Sequence, residues 1–599
     1  MTTETDSKTD RLEPDPQALA RNLVTVATQS QKLVSDFLKR QANEGATQQI
    51  DPLNVGSAFL EMSSKMMADP AKALEAQMQF LQDSVQLWTY TVRRFLGEAA
   101  EPVIQPAKGD KRFRDAEWQE SAIFDYIKQS YLLSARWLQH TVEGVDGLDP
   151  KTARKVDFYT RQFTDAMAPT NFALTNPEVL RATVESNGEN LVNGLNNMLA
   201  DLERGEGRLK IRMSDETAFK VGENLATTPG KVVLRTDLFE LIQYNPTTKE
   251  VFERPLLIFP PWINKFYIMD LKPENSFIRW MVDQGYTVFI VSWVNPDTQL
   301  ATKTFKDYML EGIIKAVDAV ETITGCSKIN TIGYCIAGTL LSATLSYMAV
   351  KKDRRIASAT FLAAQVDFSE PGELEIFVDD EQLKSIDERM SRKGYLEGDE
   401  MAGTFNMLRA NDLIWSFVIN NYLLGKDPFP FDLLYWNGDS TRMPRALHIF
   451  YLREMYRDNN LVKPGGITLG GVPIDLRKVR VPVYLQAARE DHIAPFPSVF
   501  RATKLFKGKV RFVLAGSGHI AGVINAPAAK KYQYWTNEDA PKDLNTWLEG
   551  AKEHPGSWWP DWNAWLAPIS GKKVPARKPG GGKKRPICDA PGTYVLVKS

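Results

Sequence analysis

The chain has 599 residues, of which 43% are hydrophobic and 25% charged, and its formal net charge is −1. This length predicts about two to four domains, and the near-neutral charge gives no general argument for nucleic acid or an anionic membrane as a partner. The three cysteines lack the spacing of metal ligands or of a disulfide framework, which favours a reducing, cytoplasmic setting. No run of about 18 apolar residues occurs, so no membrane-spanning segment is predicted.

The N-terminal third is predicted to be helical. Residues 1–16 are polar, lack the apolar core of a signal peptide and are expected to be disordered. An all-α domain is predicted over 17–215. Its strongest pattern is an apolar stripe with alternating steps of four and three residues: Leu74, Met78, Leu81, Val85, Trp88, Val92 and Phe95. Packing inside the helical domain is the preferred interpretation of this stripe; a partner subunit and a granule surface are the alternatives.

From residue 216 the pattern changes to apolar strands alternating with helices, which predicts an α/β domain with a mainly parallel sheet over 216–570. The alternation lapses over about 368–475 and then resumes, so this stretch is interpreted as an inserted lid or cap. Residues 571–599 are interpreted as a flexible basic tail, with solvation as its expected role and binding of an anionic partner as the alternative.

Cys335 lies where a β-branched strand meets an apolar helical pattern, in Gly333-Tyr-Cys-Ile-Ala-Gly338. A nucleophile flanked at two residues by small side chains, here Gly333 and Ala337, is typical of the strained strand-to-helix turn called the nucleophile elbow. Most such turns carry serine. A cysteine indicates chemistry on acyl groups held as thioesters.

A nucleophile of this kind needs a base and an orienting group, and α/β-hydrolases carry them in the order nucleophile, acid, histidine. Asp491 follows one predicted strand and His519 follows the next, so both are expected at the sheet edge that holds Cys335. The three residues are predicted to form a catalytic triad. His492 adjoins Asp491 and is the rival base or a supporting partner; the glycine-flanked loop around His519 favours that residue.

The oxyanion hole is expected to use the backbone N–H of Ile336, directly after the nucleophile. A second donor is expected in the loop after the strand Leu256–Phe259, from the amide of Trp262 or Ile263. No cofactor and no metal site is predicted: the glycines after residue 515 resemble a dinucleotide loop, but Pro527 interrupts the helix that such a loop requires.

Several motifs together resemble the polyhydroxyalkanoate (PHA) synthases, over roughly residues 80–599. They are Pro255–Ile268, Val291–Asp297, Gly333–Gly338, Trp436–Thr441, Glu490–Ile493 and Gly518–Ile520. The long N-terminal region and the ending Ala590–Val595 resemble the single-subunit class I branch. Ala337 departs from the glycine that is more frequent in the family, which affects packing at the turn rather than the nucleophile.

The resemblance implies Cys335 as nucleophile, His519 as base, Asp491 as third essential residue, and a lid over 368–475. It implies polymerisation of (R)-3-hydroxyacyl-CoA, of short chain in class I, onto a growing polyester with coenzyme A leaving as product. Trp436 and Asn437 are candidates for the substrate channel, with packing an equal alternative. The implied setting is a homodimer at the surface of cytoplasmic polymer granules, with granule-associated proteins. Alternatives are an intracellular depolymerase or cysteine thioesterase, and a non-catalytic granule scaffold.

Overall fold

The structure is a computed structural model that describes residues 15–43, 55–582 and 584–598. It divides into two compact units. One contains the described residues up to Asp215 together with Arg409–Phe429, and the other contains Glu216–Leu408 and the described residues from Pro430 onward. The segment Arg409–Phe429 belongs to the insertion expected to form a lid, so part of that insertion packs as a piece of the helical unit.

The helical unit is formed by α1–α8 together with the Arg409–Phe429 segment. The predicted disorder of residues 1–16 lies outside the described residues except for Asp15 and Pro16, and α1 begins at Pro16. Helices α6 and α7 begin at prolines, after Asp149 and Asn176, whose side chains accept N–H groups of the first turn. The helices are α1 Pro16–Asn43, α2 Val55–Ala68, α3 Pro70–Phe95, α4 Glu117–Glu120, α5 Ala122–Glu143, α6 Pro150–Ala166, α7 Pro177–Glu185 and α8 Glu189–Arg204.

The apolar stripe of α3 is exposed. Its central residue Trp88 keeps 64% of its surface accessible, and the other six residues of the stripe are also exposed. The opposite face, with Leu87 and Tyr90, packs on α5, where the Tyr90 hydroxyl donates to the buried Asp125 carboxylate at 2.6 Å. The preferred interpretation of the stripe as packed inside its domain was therefore wrong, because α5 covers the other side of this helix.

The Arg409–Phe429 segment is bound to α8 by buried polar contacts. The Tyr422 hydroxyl donates to the Asp201 carboxylate at 2.8 Å, and the Asn190 side chain donates to the Leu423 carbonyl at 2.8 Å. Gly194 makes this approach possible, since a Cβ there would lie 1.9 Å from the Tyr422 carbonyl oxygen. A part of the insertion is thus an integral part of the helical unit.

The second unit is built on an eleven-stranded sheet in the order β10-β9-β8-β7-β6-β5-β3-β4-β2-β1-β11. The six strands from β8 to β4 in this order run parallel, and the flanking strands are antiparallel. The strands are β1 Gly230–Arg235, β2 Phe239–Tyr244, β3 Leu256–Phe259, β4 Val288–Trp293, β5 Ile329–Tyr334, β6 Ile356–Leu362, β7 Val483–Ala488, β8 Val510–Ala515, β9 Gln533–Thr536, β10 Lys552–Pro555 and β11 Cys588–Asp589.

Helices cover both faces of this sheet, and two large hydrophobic clusters fill the space on its two sides. Because the central strands are buried on both faces, their sequences are continuously apolar rather than alternating. The helices are α9 Phe277–Asp283, α10 Phe305–Asp307, α11 Lys315–Thr324, α12 Ile336–Val350, α13 Asp380–Lys393, α14 Gly398–Leu408, α15 Asp432–Gly438, α16 Arg445–Tyr451, α17 Phe496–Phe500, α18 Ala502–Leu505, α19 Leu544–Glu549 and α20 Trp559–Leu566.

The segment after residue 570 is folded onto the sheet. Lys573–Pro575 pairs with Glu250–Phe252, and β11 adds an edge strand next to β1. The description of residues 571–599 as a flexible tail was wrong for these parts, because their backbone groups are paired and Val595 is buried. Among the described helices, none is both long and apolar enough to cross a membrane.

Candidate active site

Cys335 occupies the turn between β5 and α12. Its backbone has φ 53° and ψ −128°, a conformation that side chains other than glycine rarely adopt. The Cys335 N–H donates to the Leu362 carbonyl at 2.9 Å, and α12 begins at the next residue, Ile336. The chain therefore presents this side chain at the carboxyl end of a central parallel strand, where α/β sheets place their reactive groups.

Small residues make this turn possible. A Cβ added at Gly333 would lie 2.7 Å from the Gly338 Cα, and a Cβ at Gly338 would lie 2.5 Å from the Ala364 Cβ. The strand and the helix are thus in direct backbone contact, and the helix also packs on the Ala364 side chain at the exit of the next strand. Ala337 is fully buried in the core cluster, so its methyl group is accommodated. A larger side chain would clash at Gly338, so this position must be glycine. The sequence pattern had pointed to Ala337 instead.

His519 and Asp491 meet at the same sheet edge. The His519 Nδ1 lies 2.7 Å from Asp491 Oδ2, and the charge of Cys335 acts on the same ring. The two loops are held in register by the parallel pairing of β7 with β8. Gly522 permits the approach of the His519 loop, since a Cβ there would lie 2.6 Å from the Ala488 Cβ.

Both oxygens of the Asp491 carboxylate have hydrogen-bond partners in this arrangement. Its Oδ2 contacts the His519 ring, and its Oδ1 accepts the backbone N–H groups of Ile493 and Ala494, both at 2.8 Å. The side chain has no solvent-accessible surface. His492 follows Asp491 on the same loop, but the ring that the carboxylate binds is that of His519. Asp491 is thus positioned to orient His519.

The pKa of His519 is raised well above its usual value. Burial alone would lower it, but the negative charges of Asp491 and of the Cys335 thiolate, together with the hydrogen bond to Asp491, outweigh the desolvation. The ring is stacked near Tyr334, and the Tyr334 hydroxyl donates to the His519 carbonyl at 3.2 Å. The site therefore favours a proton on the imidazole when Cys335 carries negative charge.

The loop after β3 lies beside Cys335 because Phe259 is paired with Gly333 in the parallel ladder. Trp262 is buried and packs against Trp293 and Tyr308, with ring centroids 5.8 and 5.1 Å away. The Ile336 N–H belongs to the first turn of α12, where N–H groups have no partner within the helix. The predicted oxyanion donors Ile336, Trp262 and Ile263 thus occupy neighbouring segments at the sheet edge.

The segment Trp436–Thr441 supports this loop. The Trp436 indole N–H donates to the Lys265 carbonyl at 2.7 Å, and Thr441 donates through its N–H and its hydroxyl to the Ile263 carbonyl. The Asn437 carbonyl lies 3.5 Å from the Asn264 side-chain nitrogen. Trp436 is buried. The structure therefore gives these candidate channel residues contacts that brace the loop, and their contact with substrate remains a prediction.

Two tyrosines near Cys335 were missed by the sequence reasoning. Negative charge on Cys335 contributes, after burial, to raising the pKa of both Tyr451 and Tyr456. Phe368 packs edge-on against both rings, at 6.0 and 5.0 Å. Phe368 lies at the start of the insertion and the two tyrosines in its later part. The aromatic composition of the insertion was the one sequence feature that could have indicated them. Within the described ranges, no group of three or more His, Cys, Asp or Glu side chains could hold a metal ion.

Comparison with known sequences gives two family matches. Residues 109–281 match the family described as poly-beta-hydroxybutyrate polymerase (PhaC) N-terminus, and residues 259–526 match the alpha/beta hydrolase fold. The predicted α/β-hydrolase fold, preceded by a helical region, is confirmed. Among solved structures, a thioesterase domain from the curacin biosynthetic pathway is 10% identical, covers 50% of this chain and 96% of its own, and has a TM-score of 0.30.

Curated relatives are similar over almost the whole length. The chain is 50% identical to a poly(3-hydroxyalkanoate) polymerase of Methylorubrum extorquens, with 99% of both chains covered. It is 48% identical to the polymerase subunit PhaC of Rhizobium meliloti, covering 98% of this chain and 96% of the relative. Identity to the corresponding subunit of Cupriavidus necator is 43%, with 88% and 89% covered.

Proposed function

This chain belongs to the poly(3-hydroxyalkanoate) polymerase (PhaC) family and is an acyltransferase that makes polyhydroxyalkanoate, and we propose that Cys335, His519 and Asp491 form its catalytic triad. The observation that carries this proposal is the buried contact between Asp491 and His519 at the sheet edge where Cys335 occupies a strained strand-to-helix turn. Each member comes from the carboxyl end of a different central strand.

In the acylation step, the Cys335 Sγ–H proton passes to His519 Nε2, the ring nitrogen that does not contact Asp491. The sulfur then attacks the carbonyl carbon of a 3-hydroxyacyl-CoA thioester. The amides of Ile336 and of the Trp262–Ile263 loop stabilise the oxyanion, which is usually the largest single contribution in such reactions. The bond to the coenzyme A sulfur breaks, and His519 returns the proton to that sulfur. One thioester replaces another, so the acyl group remains activated.

In the elongation step, a hydroxyl group of a second hydroxyacyl unit attacks the Cys335 thioester. The hydroxyl proton goes to His519, an ester bond forms, and the carbon–sulfur bond breaks with return of the proton to Sγ. The buried, fully hydrogen-bonded carboxylate of Asp491 supports a role in orienting His519 rather than in contacting the hydroxyl. Exclusion of water by the insertion would suppress hydrolysis.

The substrate we propose is a short-chain (R)-3-hydroxyacyl-CoA such as 3-hydroxybutyryl-CoA, on the class I resemblance of the sequence. The test is to mix the protein with this thioester and to follow coenzyme A release and the product together. Polymer is expected. Release of free 3-hydroxybutyrate without polymer would instead identify a thioesterase, and a faster reaction with medium-chain thioesters would contradict the proposed chain length.

We also propose a homodimer at the surface of polymer granules in the cytoplasm, where granule-associated proteins would contact it. The exposed stripe of α3 supports an association surface. Its steps of 3.5 residues on average match the seam of a two-helix coiled coil. Of the flanking residues Glu75, Gln77, Gln82 and Thr89, only Glu75 is charged. We therefore assign this stripe to α3 of a second copy.

A further inference from the structure

The segment Gly592–Lys598 is held on the catalytic unit by two buried charged side chains of opposite sign. Glu240, on β2, accepts the backbone N–H groups of Thr593 and Tyr594 at 2.8 and 3.0 Å. Lys265 donates to the carbonyls of Val595 and Val597, both at 2.8 Å. A carboxylate thus binds the donors of this segment and an ammonium group binds its acceptors.

The fit at the carboxylate is close. Glu240 is fully buried. Gly592 has φ +83°, and a Cβ there would lie 2.2 Å from Glu240 Oε2. The segment can therefore reach the carboxylate only with glycine at this position. These contacts are built into the fold, because a buried carboxylate requires hydrogen-bond donors and the segment supplies three of them, including the Thr593 hydroxyl at 3.0 Å.

Lys265 also belongs to the loop that carries the proposed oxyanion donors Trp262 and Ile263. Its ammonium group lies 2.8 Å from Asp439, and Asp439 accepts the Tyr267 hydroxyl at 2.8 Å. One side chain thus joins three segments that are far apart in the sequence: the loop after β3, the segment Trp436–Thr441 and the segment Gly592–Lys598.

The ammonium group has three N–H donors, and the structure gives it two carbonyl acceptors and an ion-pair contact with Asp439 Oδ1. Loss of the two carbonyls would leave a buried cation with a single partner, which is strongly unfavourable. The loop would then have to shift toward another partner or toward water. A displacement of about 1 Å of a catalytic group costs on the order of 100-fold in rate.

We propose that Lys265 is a positioning residue through which the docked segment Gly592–Lys598 fixes the oxyanion loop, so that docking of this segment is required for the full rate of acylation. The inference rests on the proposed role of the loop in acyl transfer. It assigns to the end of the chain an effect on chemistry rather than on substrate binding.

The test compares Lys265→Met, a protein lacking residues 592–599, and the combination of both. Single-turnover release of coenzyme A from 3-hydroxybutyryl-CoA reports acylation, and thermal unfolding reports whether each protein is folded at the assay temperature. We expect acylation to be about 10- to 100-fold slower in each single variant, with little change in KM. If the segment acts through Lys265, the combined variant is no slower than the slower single variant.

Lys231→Met is the matched control, because Lys231 forms an exposed ion pair with Asp589 just before the docked segment. It should react at the wild-type rate. Glu240→Gln weakens docking of the segment without altering Lys265 or the loop, and it should slow acylation by several-fold. This variant replaces the truncated protein in the test if the truncated protein does not fold. Wild-type acylation in folded Lys265→Met, or multiplied effects in the combined variant, would overturn the inference.

The two proposals can fail separately. If Cys335→Ala still releases coenzyme A, the proposed function fails whatever Lys265 does. If Cys335→Ala is inactive while folded Lys265→Met, Glu240→Gln and truncated proteins acylate at the wild-type rate, only the positioning role fails.

Discussion

Asp491 binds the His519 ring with one carboxylate oxygen and two backbone N–H groups with the other. This division explains how a single carboxylate both sets the orientation of the imidazole and keeps its own position. It also leaves no carboxylate oxygen exposed for a reacting hydroxyl. The relationship gives the first of five predictions.

Asp491→Asn should slow acylation and elongation together, by about 10³- to 10⁴-fold, because an amide cannot hold the His519 ring in the required tautomer. Single-turnover coenzyme A release measures acylation, and polymer formation measures elongation. The neighbouring Glu490→Gln, at an exposed position, is the matched control and should be nearly silent. Rapid acylation with blocked elongation would instead show that Asp491 activates the hydroxyl.

Replacement of Cys335 by alanine should abolish coenzyme A release and lower the pKa of His519. The thiolate is one of the two negative groups that raise this pKa, and acylation or substitution removes its charge. NMR of ¹³Cε1-labelled histidine measures the change, with the resonance assigned through His519→Gln. An unchanged pKa would contradict the coupling between Cys335 and His519.

The raised pKa of His519 also makes the stability of the protein depend on pH in a defined direction. A folded-state pKa above the unfolded value stabilises the protein fully below the unfolded pKa, and this contribution is lost as the pH rises through the folded pKa. In Cys335→Ala, the free energy of unfolding should therefore fall less as the pH rises into the alkaline range. Denaturant unfolding at several pH values measures this difference.

Gly338→Ala should destabilise the elbow by about 1–3 kcal/mol and reduce activity further by displacing Cys335. The physical reason is the 2.5 Å approach that the new Cβ would make to the Ala364 Cβ. Gly403→Ala is the matched control: this helical glycine has nothing within 4 Å of an added Cβ, so the substitution should be neutral or stabilising. Denaturant unfolding and the acylation rate measure both effects.

The double substitution Val85→Ser/Trp88→Ser on the exposed stripe of α3 should weaken self-association and shift the mass seen by light scattering toward the monomer. Gln79→Ser/Gln86→Ser, also exposed on α3 but away from the stripe, is the matched control for the loss of helix propensity. If the mass is unchanged and binding to polyester particles falls instead, the stripe faces polymer and the assignment to a second copy is wrong.

Much of the catalytic unit was predictable because its signals are local. The small residues around Cys335 indicate the strand-to-helix turn, and the central strands are recognisable from their continuous apolar runs. The positions of Asp491 and His519 followed from one topological rule, that the ends of parallel strands meet at one edge. The sequence order then restricted the chemistry further.

Other features depend on segments that are distant in the sequence. The stripe of α3 has the periodicity of a packed helix, but only the position of α5 decides which face is covered. The insertion could be recognised as a break in the pattern, yet its division between two units depends on Gly194 and Tyr422 meeting across more than 200 positions of the chain.

The sequence by itself therefore determined the fold class and singled out Cys335 and the order of its proposed partners, because steric fit at a turn and apolar periodicity involve near neighbours. Only the tertiary structure decided that both oxygens of Asp491 are engaged and that the final residues are docked rather than flexible. Whether a charge such as Lys265 is buried and paired depends on groups brought from three distant segments, and no local pattern specifies that meeting.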